Sequence, residues 1–592
     1  MVKTNLEDIN KYRIIIFSTL FLIFSIIIIL VIQYFSKKPQ EERFLIIGID
    51  FGSSFSGYSI LTDRKYDFEE HDKNKLFFSE IILDKETKIG KKIREGKKDT
   101  SILNLDNNEL YFSHFKKFLD KNFDYENIYI ESTIPKGEKV KLDYVIKGFL
   151  NILVDHIEDD IEHLNLDLKE AKWIISAPSI WNDIGKNYLK KIAKKARLYN
   201  TEILLEPEAA SLAIFYDKYI NKKYITIGTK YLIVDAGGYT VDVSLNEILE
   251  NNNIKQLAQP KSFRLGSNFI NEQIIEIIQE VYGEENLKNF TKYNTTEWEI
   301  ILKKIEESKN NFNLIDSENI KLNIKLDKLI CYKEVKGYYG KISTEKKELC
   351  YTIKNGTNIT YNNEVMFIPK KLIIDIISNL SSKIVSKINE YMSGINFKLL
   401  VLTGGFSNSL ILREKIKKNF REKDINIEIL KAPQETVMRG AAIYGVIPNQ
   451  ILYRVSPVSI LIDNYEEKKD NEECEFGEEM DHENWKFKFK CLKYKRFIKS
   501  FELIKTGETI EKFISPISNT VNIYYTYKNE INSDYIDLLD TMEIPYSNLP
   551  LSKRHILVSM NFSNYINVTI KDYDSNKQES KAIYYPTQKE DN

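Results

Sequence analysis

Cysteine and histidine are scarce in this chain. Four cysteines among 592 residues (Cys331, Cys350, Cys474 and Cys491) cannot staple a disulfide scaffold, and no two form a CxxC pair. Only six histidines stand beside them, which argues against a zinc site. Excess charge is missing too: 85 Lys+Arg against 86 Asp+Glu leave a net charge of -1. That argues against a protein that holds nucleic acid by bulk positive charge, and no nucleic-acid partner is expected. No internal repeat with a period of roughly 20–50 residues is present, as a solenoid would require. Apolar side chains are plentiful. At 43% hydrophobic and 29% charged, the chain can bury a large core, and its length suits several domains.

The longest apolar run lies at the N-terminus. Ile14 to Ile32 reads IIIFSTLFLIFSIIIILVI, and no charge occurs from Ile14 to Ser36. About 20 helical residues span the roughly 30 Å hydrocarbon core of a bilayer. Lys11 and Arg13 precede the run, and Lys37 and Lys38 follow it. A buried helix of this length would keep a polar face. A cleaved signal peptide would end in a small-residue site, where this run ends in QYFSKKPQEE. The expectation is a tail over 1–13 and a single uncleaved transmembrane helix over 14–36. Its orientation stays open, because Lys3, Lys11 and Arg13 balance Lys37, Lys38 and Arg43. The N-x-S/T sequons, among them Asn294, Asn355, Asn358, Asn379, Asn561 and Asn567, are about as many as this Asn-rich chain would hold by chance.

Beyond Arg43 the pattern alternates. Apolar strands are expected at FLIIGID, AKWIISAP (171–178), KYLIVDAGG (230–238) and KLLVLTGG (398–405). Helical periodicity falls between them, at Val145–Leu164, Gly185–Leu198, Glu208–Lys218, Asn268–Tyr282 and Thr296–Phe312. Such alternation argues for an α/β architecture. The tail beyond about 450 differs. Its acidic stretch 466–481 reads as a solvated loop. WKFKFKCLKY, TVNIYYTY, HILVSMNF and INVTIKDY read as strands of a β-rich C-terminal module.

Three glycine-bearing turns follow apolar strands: Asp50-Phe51-Gly52-Ser53-Ser54, Asp235-Ala236-Gly237-Gly238-Tyr239-Thr240, and Thr403-Gly404-Gly405-Phe406. Glycine lets backbone N–H groups approach phosphate oxygens, and neighbouring hydroxyls add donors. A carboxylate at the end of each of the first two strands suits hydrated Mg²⁺, which needs few protein ligands. Two strand–Asp–x–Gly–hydroxyl turns far apart in one chain suggest two lobes holding a nucleotide from opposite sides.

These residues resemble the actin-like ATPase superfamily, and within it the 70-kDa heat-shock proteins, on a divergent branch with an atypical C-terminal part. The matching blocks are IIGIDFGSSFSGYSI (46–60), WIISAPSIWNDIGKNYLKKIAKKARL (173–198), ILLEPEAASLAIFY (203–216), YLIVDAGGYTVDVSL (231–245), LLVLTGGFSNSLILREKI (399–416) and GAAIYG (440–445). The resemblance implies two ribonuclease H-like lobes, at 44–229 and 230–448, with the β-rich module at 450–592. It implies ATP or ADP with Mg²⁺ as the bound group. Asp50 and Asp235 would hold the metal through water, and Gly52, Ser53, Ser54, Gly237 and Gly238 would wrap the phosphates. Thr240 would stand near the γ-phosphate and Glu206 near the attacking water or the metal. Lys116, rather than Lys117, would contact the γ-phosphate. Glu306 and Lys309 would meet the adenosine, with Gly404 and Gly405 beneath adenine and ribose. In-line attack of water on the γ-phosphoryl needs positioning and charge neutralisation more than a strong base.

Two departures from the family pattern bear on function. Tyr239 stands where the family has a third glycine; a positive φ there would strain it, and its ring adds bulk beside the phosphates. Residues 450–592 are too few for the usual β-sandwich plus helical lid. The reading is therefore a membrane-anchored ATPase, expected in the endoplasmic reticulum or another endomembrane, that gates a C-terminal module for a protein client or co-chaperone. The alternatives are a nucleotide-binding regulator without turnover, a small-molecule kinase of the same fold and a filament former. Cys474 and Cys491 could pair if the module is lumenal; free buried thiols are the plainer reading.

Overall fold

The computed structural model describes residues 44–586 except 63–72, 96–104, 121–126, 311–318, 324–347, 468–476, 481–487 and the short gaps 135–136, 165, 218–219, 221, 363–364, 393, 431, 517, 532 and 552–553. The expected transmembrane segment 14–36 lies outside the described residues. Among those described, no helix is long and apolar enough to cross a membrane.

The first lobe is a five-stranded sheet. In chain order its strands are β1 (Ile46–Asp50), β2 (Phe55–Leu61), β3 (Lys73–Phe78), β4 (Lys172–Ala177) and β5 (Asn200–Leu205). They lie side by side as β5-β4-β1-β2-β3. β1 pairs antiparallel with β2, through the Gly52–Ser54 turn, and parallel with β4. Between β4 and β5 runs α1 (Asp183–Lys195), started by Asn182, whose side chain accepts from Gly185 N at 2.8 Å. After β5 comes α2 (Glu206–Ala213), with Pro207 in its first turn. The sequence pattern runs this helix on to Lys218; the structure ends it at Ala213.

The second lobe repeats this topology. β6 (Lys230–Ala236) and β7 (Val241–Ile248) form the hairpin, and β8 (Ile254–Gln256) lies beyond β7. β9 (Leu399–Thr403) and β10 (Asn426–Ile429) add parallel strands on the other side of β6. Helices α3 (Asn268–Tyr282) and α4 (Thr295–Asn310) pack on this sheet, with Leu232, Val234, Ile274 and Ile301 in one buried cluster. Each lobe thus places its glycine turn at the end of its first strand, and the two turns face one another.

A second helix pair joins the lobes. α5 (Thr436–Val446) crosses α2 so closely that a Cβ on Gly440 would lie 1.7 Å from Ala209 O. Only glycine fits there. Ala209, Ala210, Val437 and Ala441 complete the contact within an apolar cluster that also holds Ile174, Ile233 and Val401 from both sheets.

The C-terminal module is all β, in two sheets around one core that includes Ile460, Ile523, Val558 and Ile570. The expected strands appear as Lys488–Ile498, Thr520–Thr526, Ile556–Phe562 and Ile566–Asp572. The acidic stretch is less loop-like than its composition suggests. Glu466 and Glu467 end the strand Ser459–Glu467, and Gly477–Met480 pairs with Lys488–Cys491. Cys491 is buried and disulfide-bonded, against its reading as a free thiol. The module is not a separate body: β11 (Ile451–Val455) pairs parallel with β8, and β12 (Leu503–Lys505) pairs antiparallel with β11. The second lobe's sheet therefore continues into the module.

Candidate functional site

Between the lobes lies a concave cleft, the usual form of a small-molecule site. Its walls bring together Asp50, Gly52, Ser53, Ser54, Lys116 and Glu206 from the first lobe. From the second come Asp235, Gly237, Gly238, Thr240, Glu306, Gly404 and Gly405. Lys309 stands behind them and donates to Glu306 Oε2 at 2.6 Å and to Ser267 Oγ at 3.3 Å. Lys117 is placed elsewhere, its ammonium 5.8 Å from the centre of the Phe118 ring.

The charge balance of the floor is uneven. Lys116 is buried and donates to Glu206 Oε1 at 2.5 Å. Around this one ammonium stand the carboxylates of Asp50, Glu206, Asp235 and Asp242. Ser176 donates to Asp50 Oδ1 at 3.0 Å. Burial first, and Glu206 second, nevertheless push the Asp50 carboxyl up to about 7, against Lys116 and Ser176. Asp235 is raised well above its ordinary value by burial, then by Glu206, Asp242 and Asp50. Asp242 is raised to about 7 by burial and Glu206, although Ser262, Ser179 N and Thr240 hydrogen-bond to it. A pocket of this kind attracts further positive charge.

The glycine turns of the second lobe are built by backbone contacts within it. Gly237 N donates to Thr240 O at 2.9 Å, closing the second turn. Gly266 N, Ser267 N and Asn268 N then donate to Tyr239 O, Gly237 O and Gly238 O at 2.9, 3.1 and 2.7 Å. Gly404 has φ +82°, and a Cβ there would lie 2.3 Å from Asp235 Oδ1, so the third turn passes directly over the carboxylate.

Tyr239 is absent from the residues with positive φ, so the expected backbone strain does not arise. The residue is half-buried and is among those lining the cleft. Burial raises its hydroxyl above the ordinary value, and Asp120 adds to this, while a hydrogen bond with Arg264 opposes it. Arg264 Nε donates in turn to Asp120 Oδ2 at 2.6 Å, joining second lobe to first.

Sequence reasoning missed a second inter-lobe contact. Ser54 Oγ donates to Asn268 Oδ1 at 3.0 Å, and His114 Nδ1 lies 3.2 Å from Asn268 Nδ2. Asn268 and Ser267 belong to a fourth glycine turn, Leu265-Gly266-Ser267-Asn268, whose signal was a glycine and a hydroxyl opening a helix. Asp242 and Ser176 were missed as well; each is one small polar residue in an apolar strand. Among the described residues no group of His, Cys, Asp and Glu forms an all-protein metal cage.

Comparison with known proteins agrees with this geometry. The family model described as Hsp70 protein matches residues 46–353. The chain is similar to the human heat shock 70 kDa protein 12A, with 21% identity covering 84% of each chain. The mouse protein of that name is 22% identical over 83% of this chain and 82% of its own. Human heat shock 70 kDa protein 12B is 18% identical over 72% of each.

Proposed function

The chain belongs to the Hsp70 protein family, on the divergent branch of the 12A and 12B relatives, and from that premise we propose a membrane-anchored, slowly hydrolysing ATPase whose nucleotide state gates its β module. One observation carries the reading. The two Asp–x–Gly–hydroxyl turns of two matching lobes face each other across one cleft, with Lys116 and Glu206 at its floor.

The donor set fits a nucleotide with a hard divalent cation. Four clustered carboxylates oppose one ammonium, and burial first, then the neighbouring carboxylates, raise Asp50 and Asp235. Asp50 and Asp235 would hold Mg²⁺ through water, and the ion when bound would neutralise phosphate charge. The chain's own residues do the remaining work. Gly52–Ser54 and Gly237–Gly238 offer backbone and hydroxyl donors to phosphate oxygens, and the Lys116 ammonium offers charge. Glu206, held by Lys116, orients a water for in-line attack. Glu306 lines the cleft for the nucleoside, with Lys309 holding it from behind.

The rest of the proposal draws on the sequence. The uncharged run 14–36 supplies the anchor. The disulfide at Cys491 suits an oxidising compartment and favours a lumenal module, hence an endomembrane. A protein client or co-chaperone would meet the β module. A second reading, binding without turnover, has its motive in Tyr239 standing at the cleft in place of a glycine.

The test is ATP binding and phosphate release by the chain from Arg43 onward, beside Asp235→Asn and Tyr239→Gly. Mg·ATP binding with release that falls at least ~100-fold in Asp235→Asn is the expected result. Binding with no release, restored by Tyr239→Gly, selects the regulator. No binding at all sinks both.

A further inference from the structure

A second recess lies where the lobes, the connecting strand β11 and the β module meet. Lys186, from α1, points into it. This lysine is 5% exposed, and among the described residues its ammonium makes no hydrogen bond and no ion pair. The two carboxylates that act on it do so only at longer range. Glu208 Oε1 accepts from Arg454 Nε at 2.9 Å and from Gln256 Nε2 at 2.8 Å, while its Oε2 has no hydrogen-bond partner among the described residues. Asp183 lies at the start of α1, where it accepts from backbone N–H groups.

Burying an ammonium without a partner is costly. Burial pushes the Lys186 amine down to about 8, in spite of Asp183 and Glu208. Leu205 from β5, Pro260, Val455 from β11, Ile504 from β12 and Tyr585 supply apolar walls, and Gln256, Asn564 and the Glu208–Arg454 pair supply polar ones. A buried ammonium without a hydrogen-bonded partner, set beside apolar walls, is the complement of a small organic anion.

We propose that this junction recess is a second ligand site, which takes a small organic anion with its carboxylate or phosphate head on Lys186 Nζ and its apolar body against Leu205, Pro260 and Ile504. The site is separate from the nucleotide cleft and independent of whether ATP is turned over. Its walls come from both lobes, the connecting strand and the module, so a ligand there touches every part of the soluble body.

The experiment is saturation-transfer NMR with titration, on the chain from Arg43 onward with its nucleotide cleft saturated by Mg·ADP. Benzoate and phenyl phosphate are the anionic probes, and benzyl alcohol is the neutral control. At least one anion binds, the alcohol binds at least tenfold more weakly, and whichever anion binds identifies the head. Lys186→Met weakens that anion at least tenfold; Lys186→Arg, which keeps the charge, retains it within about threefold. Equal binding of benzyl alcohol, binding unchanged in Lys186→Met, or no binding of either anion to the wild-type chain each overturns the proposal. Thermal melts of both variants confirm that the fold persists.

Discussion

A lysine taken out of water without a partner favours its neutral form, and the cost of protonating it appears as a pH dependence of stability. Lys186 is such a residue. Its folded pKa of about 8 lies below the ~10.4 of an unfolded lysine. Between those values the unfolded chain holds a proton that the folded chain has released, so stability rises with pH; below about 8 the penalty is present in full. Lys186→Met removes the dependence. Without added anions, the variant is expected to be the more stable by about 3 kcal/mol at pH 7 and to lose that advantage by pH 10.5. Urea denaturation of both chains across that range checks this, and a constant gap would refute it. Nothing in the sequence singled out Lys186: it is one of many lysines on an amphipathic helix, and only the docking of the module closes water off from it. The cleft residues were legible for the opposite reason. Asp50, Asp235 and their glycines follow apolar strands directly, so local pattern alone puts them at strand ends. Tyr239 shows where local pattern stops. Its φ depends on how the 266–268 turn grips 237–239, a tertiary contact.

At the scale of elements, the hairpin strands and the helices between them are readable because burial imposes apolar runs on strands and 3.6-residue periods on helices. Lengths were less readable. α2 ends at Ala213, well before its apolar pattern does, and Gly266-Ser267-Asn268 was overlooked because the strand before it, Lys261–Phe263, is too short to show alternation. The crossing of α2 and α5 explains the small residues of two blocks, EPEAAS and GAAIYG, which beyond Glu206 carry no site residue. Gly440 lets α5 rest on Ala209, and Gly48 of β1 touches the same helix, since a Cβ there would lie 2.3 Å from Ala442 N. Gly440→Ala is therefore expected to destabilise the chain by about 3 kcal/mol, at the upper end for overpacking, even though alanine favours helix. A melt that shows Gly440→Ala unchanged or stabilised would mean that the helices separate freely there. Because α2 begins at Glu206, the same variant should also weaken nucleotide binding.

For the whole molecule, the question is whether the β module is an appendage or part of the two-lobed body. The sequence suggested an appendage, because composition changes near 450 and short strands follow. The structure joins the parts in three places. β8, β11 and β12 form one continuous sheet edge. Arg454 of β11 pairs with Glu208 of α2, two residues from Glu206, and its Nη1 donates to Thr506 Oγ1 of the module at 2.7 Å. Asn564 Nδ2 donates to Ile203 O of β5 at 2.8 Å. These pairings have high sequence separation, and no local pattern announces them. If they hold the body together, removing 449–592 leaves Glu208 buried without its cation, β8 with an open edge and Ile203 O without its module donor. Losing one partner of a buried ion pair alone costs about 3–5 kcal/mol. The chain 43–448 should therefore unfold at a temperature several degrees below that of 43–592, and the longer chain should show one transition through both lobes and module. Differential scanning calorimetry decides between the two pictures. Equal melting temperatures, or a separate module transition in 43–592, would make the module an independent domain on a tether. One shared transition would mean that closure of the nucleotide cleft and the posture of the module cannot change independently, which is the condition for one to gate the other.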